Sequence, residues 1–102
     1  MRLRRVSILP EAQRDLLDLY QQIAEVAGEH IALDYAERIK QFCEKLDLAS
    51  ERGHRRDDIV PGLRILGYRG RVTIAFTVED NFVLIHRIFY GGRDWEAELS
   101  DE

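Results

Sequence analysis

The side chains best suited to bind an anion or move a proton occur late in the chain. His86, Arg87, Tyr90 and Arg93 follow one another closely, and Arg64 precedes them. Thirteen of the fifteen basic residues are arginine, whose planar guanidinium group binds carboxylates and phosphates through two parallel hydrogen bonds. This excess could indicate anion recognition, although it could equally reflect codon composition.

A predicted hairpin of two long β-strands, Arg71 to Arg93, carries most of these residues, with the turn at Glu79-Asp80-Asn81. Apolar residues alternate with small or polar residues in the first strand, which is the period of two typical of a sheet with unlike faces. The second strand alternates less regularly. One side of this strand is predicted to carry Val83, Ile85 and Phe89. The other side is predicted to carry Phe82, Leu84, Ile88 and Tyr90.

Strand geometry limits what the polar residues can do together. His86 and Arg87 are adjacent, so in a regular strand they point to opposite faces and cannot line one pocket without a bulge. Simple alternation likewise places Arg87 and Tyr90 on different faces. The spacing therefore predicts no catalytic residues.

Charge is unevenly distributed along the 102 residues. The net charge is −4, but residues 10–51 hold four basic and ten acidic residues, whereas residues 52–93 hold eight and four. Affinity for phosphate depends on a concentrated positive surface, so an acidic total argues against a dedicated nucleic-acid binder. We expect no sequence-specific nucleic-acid binding, although a local basic surface on the sheet remains possible.

Cysteine and histidine usage predicts neither a cofactor nor a metal site. Cys43 is the only cysteine, which leaves no partner for a disulfide and excludes a four-cysteine zinc site. His30, His54 and His86 lack the spacing of metal ligands. The apolar run Val6 to Leu9 is too short for the core of a signal peptide, and no segment could span a membrane. We therefore expect a cytoplasmic protein.

The elements that position these residues follow from local patterns, and they predict one domain over residues 1–102. The predicted elements are a strand Leu3 to Ile8, a helix Pro10 to Ala27, a helix His30 to Ala49, a loop Glu51 to Asp58, a strand Leu63 to Tyr68 and the hairpin. The order β-α-α-β-β-β predicts an α+β fold, in which an αα-hairpin packs on one face of a small, mainly antiparallel sheet.

Both faces of that sheet are predicted to be apolar, but two helices can cover only one. Depending on register, the other face exposes either Leu84, Ile88 and Tyr90 or Val83, Ile85 and Phe89. An apolar patch of this kind is typical of an interaction surface, so we expect a protein partner. The alternative is that the acidic tail or a second copy of the chain covers this face.

The element order and several motifs resemble the ParE branch of the RelE/ParE toxin superfamily. The motifs are Pro10-Glu11-Ala12 with Asp15-Leu16 one turn later, Pro61-Gly62-Leu63-Arg64, and the closing run from Val83 through Tyr90-Gly91-Gly92-Arg93-Asp94. The chain departs from the pattern at Leu9, where many relatives carry a Ser or Thr helix cap, and at Tyr90, where many ParE-like chains carry His. The resemblance implies a toxin of a type II toxin–antitoxin module that a cognate ParD-like antitoxin holds inactive.

The superfamily offers two functions of different classes. ParE-like members inhibit DNA gyrase without chemistry of their own, and the acidic total charge and the Gly-Gly-Arg-Asp ending favour this function. RelE-like members cleave mRNA on the ribosome, which requires an activating base, cations and an acid. Candidates for that alternative are Arg64, His86, Arg87, Tyr90 and Arg93.

Two binding surfaces are therefore expected. Arg87, Tyr90, Arg93 and Trp95 are predicted to contact the target, since Gly91-Gly92 would release the following residues as an arm. The alternative is that Trp95 folds back and plugs the sheet edge. Antitoxin binding is predicted to involve Arg64, Leu84, His86 and Ile88.

Overall fold

A computed structural model of the chain describes residues 3–48, 50–92 and 94–100. The elements in chain order are β1 Arg5–Ile8, α1 Pro10–Ala27, α2 Glu29–Glu44, a 3₁₀ turn Lys45–Asp47, β2 His54–Arg55, β3 Leu63–Tyr68, β4 Val72–Val78, β5 Phe82–Tyr90 and α3 Trp95–Ser100. The predicted bounds of α1 and β3 are confirmed. α2 ends earlier than predicted, and Ala49 lies outside the described residues.

The strands form one sheet in the order β1-β5-β4-β3-β2. β1 pairs with β5 in parallel, and the other neighbours are antiparallel. The predicted α+β architecture is confirmed, except that β2 lies within the predicted loop Glu51 to Asp58. With only two residues, His54 paired with Ile65 and Arg55 with Arg64, β2 is too short to show alternation.

An αα-hairpin covers one face of the sheet, as predicted. Pro10 occupies the first helical position of α1, where its missing N–H needs no partner. Gly28 ends α1 with φ of 92° and also precedes α2, so the reversal takes a single residue. The core between the helices and the sheet contains Ala12, Leu19, Ile39, Cys43, Leu46, Val72, Ile74, Phe76, Val83, Ile85 and Ile88.

A β-bulge interrupts the pairing of β4 with β5. Ala75 lies opposite Arg87, whereas the next residue, Phe76, lies opposite Ile85. His86 is therefore the extra residue in β5. An extra residue reverses the alternation of side chains beyond it.

The bulge corrects the predicted sides of β5. Val83 and Ile85 precede it and Ile88 and Tyr90 follow it, yet all four lie on the face that the helices cover. Phe89 lies on the second face, with a separate apolar cluster. Both predicted groupings were therefore wrong, because each assumed unbroken alternation through His86.

The C-terminal helix α3 partly covers the second face of the sheet. Leu99 is 8% exposed and packs with Leu63, Ile65, Ala75 and Phe89, and Trp95 packs against the same cluster. One alternative was that the acidic tail covers this face, and the structure shows that it does so in part. No helix in the described residues is long and apolar enough to cross a membrane.

Candidate functional site

A groove of about 620 Å³ lies on the second face of the sheet, beside α3 and the start of α1. Its lining includes Leu63, Thr77, Leu84, His86, Arg87 and Leu99. The carboxylate-bearing residues Glu11 and Glu79 also line it. The groove therefore combines an apolar floor with both signs of charge.

The β-bulge is what brings His86 and Arg87 into this groove together. The sequence prediction separated them unless a bulge intervened, and the bulge falls at His86 itself. A signal for it was present in the sequence, because two adjacent polar residues between Ile85 and Ile88 break the apolar alternation.

Arg87 is held by a carboxylate from α1. Its Nε donates to Asp15 Oδ2 at 2.8 Å, and its Nη2 donates to Asp15 Oδ1 at 3.1 Å. Asp15 Oδ2 also accepts a hydrogen bond of 2.9 Å from the backbone N–H of Ile88. Asp15 is only 6% exposed, so this is a buried, bidentate ion pair.

Sequence analysis assigned Asp15 no role in a site. The signal that could have found it is its position on α1, because Asp15 shares the apolar stripe of Ala12, Leu16 and Leu19 at helical spacing. An acid on a buried stripe requires a cationic or hydrogen-bonding partner.

Two further carboxylates and an aromatic ring surround the same guanidinium group. Glu11 Oε2 lies 3.7 Å from Arg87 Nη1, and Glu98 Oε1 lies 3.6 Å from Nη2. The Cζ atom of Arg87 lies 4.7 Å from the centroid of the Phe89 ring. The hydrogen bonds to Asp15 are the main cause that raises the pKa of Arg87, and the charges of Asp15, Glu98 and Glu11 add to it.

His86 lies beside this pair and is uncharged at neutral pH. Its Nε2 is 2.8 Å from Thr77 Oγ1, so one ring nitrogen is engaged. Burial lowers the pKa of His86 below its ordinary value, and the charges of Glu79 and Glu11 only partly oppose this shift. A neutral imidazole in the groove can accept a proton or a hydrogen bond but does not attract an anion.

The other predicted site residues are dispersed. Leu84 lines the groove, but Ile88 is 1% exposed within the helix-covered core, which does not support its predicted contact with an antitoxin. Arg64 lies opposite Phe76 on the helix side, and Tyr90 packs there edge-to-face on Tyr35 at 6.0 Å.

The last two predicted target contacts lie at the end of the chain. Arg93 lies outside the described residues. Trp95 begins α3, half-buried, with the Cζ atom of Arg56 5.5 Å from its ring centroid. Among the described residues, Arg87 and Trp95 lie on the second face and Tyr90 lies on the helix side, whereas Leu84, His86 and Arg87 share the groove.

Residues 6–95 match the family described as the ParE toxin of the type II toxin–antitoxin system parDE. The chain belongs to the ParE toxin family. The match spans α1, α2, β2 to β5 and all but the first residue of β1, and it confirms the resemblance that the motifs indicated. A search of curated protein sequences found no significant match to this ParE-family toxin.

Solved structures share the fold of this ParE-family toxin. A chain from the chromosomal ParDE toxin–antitoxin system of P. aeruginosa is similar with a TM-score of 0.75 and 24% identity, over 87% of this chain and 97% of that one. A chain from the toxin–antitoxin complex RelBE2 of Mycobacterium tuberculosis is similar with a TM-score of 0.54 and 20% identity, over 86% and 98%. At these identities the likeness concerns the fold.

Proposed function

We propose that this ParE-family toxin inhibits DNA gyrase by binding rather than by catalysis, and that a ParD-like antitoxin neutralises it. The observation that carries the first part is the state of Arg87. Its guanidinium group is already bound in bidentate fashion by Asp15 and approached by Glu11 and Glu98. Within the described residues, the groove therefore offers no unpaired cation to a phosphate.

Cleavage of RNA would demand the opposite electrostatics. The reaction needs a base for the ribose hydroxyl and cations for the charge that develops on phosphorus. His86 could serve as the base because it is neutral, but the carboxylates of Glu11 and Glu79 line the groove and repel a phosphodiester. This arrangement disfavours a ribonuclease.

One observation nevertheless supports ribosome-dependent mRNA cleavage as a second candidate. The bulge places His86 and Arg87 in one groove, whereas regular strand geometry would have separated them. A partner that drew Asp15 away would leave a base and a cation side by side. The two candidates must therefore be separated by experiment.

The test compares two activities of the purified toxin. We expect it to block DNA supercoiling by gyrase and to cause cleaved DNA to accumulate, while primer extension on translated messages shows intact mRNA. The diagnostic variant is His86→Gln. Arg87→Ala is unsuitable because it would leave Asp15 buried without its cation, and the fold itself would be destabilised. Codon-linked cuts that disappear in His86→Gln would establish the ribonuclease and overturn gyrase inhibition.

The antitoxin part of the proposal rests on the apolar floor of the groove. Leu63, Leu84 and Leu99 line the groove, and an amphipathic segment could place apolar residues on them. The RelBE2 relative was solved as a toxin–antitoxin complex. We expect co-expression with an antitoxin to restore growth and solubility.

A leucine variant tests the position of that contact. Leu84→Asp should weaken antitoxin affinity, because it places a charge on the apolar floor. Val26→Asp is the matched control, since Val26 is 88% exposed at the far end of α1. Equal losses of antitoxin affinity in the two variants would show that the antitoxin does not bind in the groove.

A further inference from the structure

Three arginines at one end of the sheet are exposed. Among the described residues, Arg52, Arg69 and Arg71 are not within ion-pair distance of any carboxylate. Ion pairs are made instead by Arg38, Arg55, Arg56 and Arg87. Residues 59–78 contain arginines but no Asp or Glu, so the strands beneath this end supply no compensating charge.

Aromatic rings hold two of these guanidinium groups. The Cζ atom of Arg52 lies 5.4 Å from the ring centroid of Phe42, and that of Arg69 lies 5.6 Å from the ring centroid of Tyr68. The two rings are in contact, with centroids 4.7 Å apart. A guanidinium group that rests on a ring by its face keeps its N–H edges available for an anion.

The third arginine is held by its backbone at the same end. The N–H of Arg71 donates to the carbonyl oxygen of Tyr68, and its own carbonyl oxygen accepts from Gly91 at 2.9 Å. Burial, and then the neighbouring Tyr90 and Tyr68, raise the pKa of Tyr35, whereas Arg71 and Arg69 lower it. Both arginines thus lie near the same half-buried ring.

Arg69 has an unusual backbone conformation, which indicates a functional role for its side chain. Arg69 has φ of 53° and Gly70 has φ of 71°, within the three-residue connection 69–71 between β3 and β4. Glycine takes positive φ freely and asparagine does so more readily than most residues, whereas arginine does so rarely. An arginine in the left-handed region costs about 1 kcal/mol or more, and strain of this kind is concentrated at functional positions.

We infer that Arg52, Arg69 and Arg71, here called the arginine rim, bind the phosphate backbone of duplex DNA without reading its sequence. The rings beneath the rim are half-buried and face the arginines, so the rim presents charge rather than apolar area. An amphipathic protein segment would need apolar anchors. Single-stranded bases would need uncovered rings on which to stack.

The strength of this binding follows from the number of contacts. Three phosphate contacts predict that the logarithm of affinity falls with the logarithm of salt concentration with a slope of about −2.7. Affinity should then fall about 40-fold between 50 and 200 mM salt. The inference does not depend on gyrase inhibition, since it concerns the toxin and bare DNA.

Fluorescence anisotropy of a labelled DNA duplex, titrated with the full chain, measures this binding. The principal variant is Arg69→Asn, because asparagine adopts positive φ readily and preserves the turn. Arg71→Gln is a second variant. Arg38→Gln is the control for net charge, because Arg38 lies on α2 in an exposed pair with Asp34.

Either rim variant should remove about one contact and reduce the salt dependence to about 12-fold over the same range. Arg38→Gln should retain about 40-fold. Thermal unfolding of Arg69→Asn should occur at or above the wild-type temperature. The inference is overturned if DNA does not bind, if Arg38→Gln weakens binding as much as the rim variants do, or if polyglutamate binds as tightly as DNA.

Discussion

Loss of Asp15 should destabilise the protein strongly, because its carboxylate binds both Arg87 and the backbone N–H of Ile88 in β5. Breaking a buried ion pair typically costs about 3 to 5 kcal/mol, and the low end applies here because Glu11 and Glu98 still lie near the Arg87 guanidinium group. We expect Asp15→Ala to lower the free energy of unfolding by that amount in urea titrations.

The matched control is the exposed pair of Asp34 and Arg38, which lie four residues apart on α2. Asp34→Ala should cost only about 0.3 to 0.5 kcal/mol. A double variant lacking both Asp15 and Arg87 should be less destabilised than the sum of the single variants. Similar costs for Asp15→Ala and Asp34→Ala would contradict the structural role of Asp15.

His86 should make stability depend on pH in a defined direction. Burial lowers its pKa in the folded state, so the unfolded chain takes up the proton first as the pH falls. The contribution is complete above the unfolded pKa, about 6.5, and is lost as the pH falls towards the lower folded pKa. Melting temperatures between pH 8 and pH 5 should therefore fall more steeply for the wild type than for His86→Gln.

The comparison with His86→Gln isolates this residue from the carboxylates, which titrate in both proteins. Glutamine can keep the hydrogen bond to Thr77. Identical pH profiles for the two proteins would mean that His86 protonates without a folding penalty.

Helix α3 has six residues, too few to be stable alone, and tertiary contacts must hold it. Leu99 supplies the buried contact, and Arg56 bridges Asp58 to Glu96 on the helix. We expect Leu99→Ala to cost about 2 to 3 kcal/mol, the low end for a buried leucine, because a terminal helix can adjust. Ala97→Ser, on the exposed side of α3, should change stability by no more than about 0.5 kcal/mol.

Trp95 belongs to the same element and decides between two interpretations of the chain end. Its packing on the second cluster and beneath Arg56 favours the plug over the mobile target-binding arm. Trp95→Ala should therefore lower the free energy of unfolding, because it removes apolar contacts from the second cluster. If Trp95→Ala instead reduced toxicity while stability and antitoxin affinity stayed unchanged, the target-binding arm would be the correct interpretation.

At the scale of the whole molecule, a single domain is expected to unfold in one cooperative transition. Trp95 is the only tryptophan and reports on α3, whereas far-UV circular dichroism is dominated by α1 and α2. Because α3 and α1 meet through Arg87, we expect both signals to share one midpoint in urea. A fluorescence change that precedes the loss of helix would show that α3 detaches first.

Local patterns in the sequence were sufficient for β1, α1, α2, β3 and the β4–β5 hairpin, for the bounds of α1 and β3, and for the family resemblance, but they did not predict β2 or α3. The reason is that helical and strand periods, Pro10 at a helix start and Gly28 at a helix end act over a few residues. Those signals do not depend on where the rest of the chain lies.

Three features were decided only by the tertiary structure: the phase of β5 after the bulge, the pairing of Arg87 with Asp15, and the docking of α3 on the second face. The bulge depends on how β5 pairs with β4 while Asp15 binds the N–H of Ile88. The ion pair joins residues 72 positions apart. Periodicity cannot encode contacts between distant segments, and for this reason the groove holding His86 and Arg87 became visible only in the folded chain.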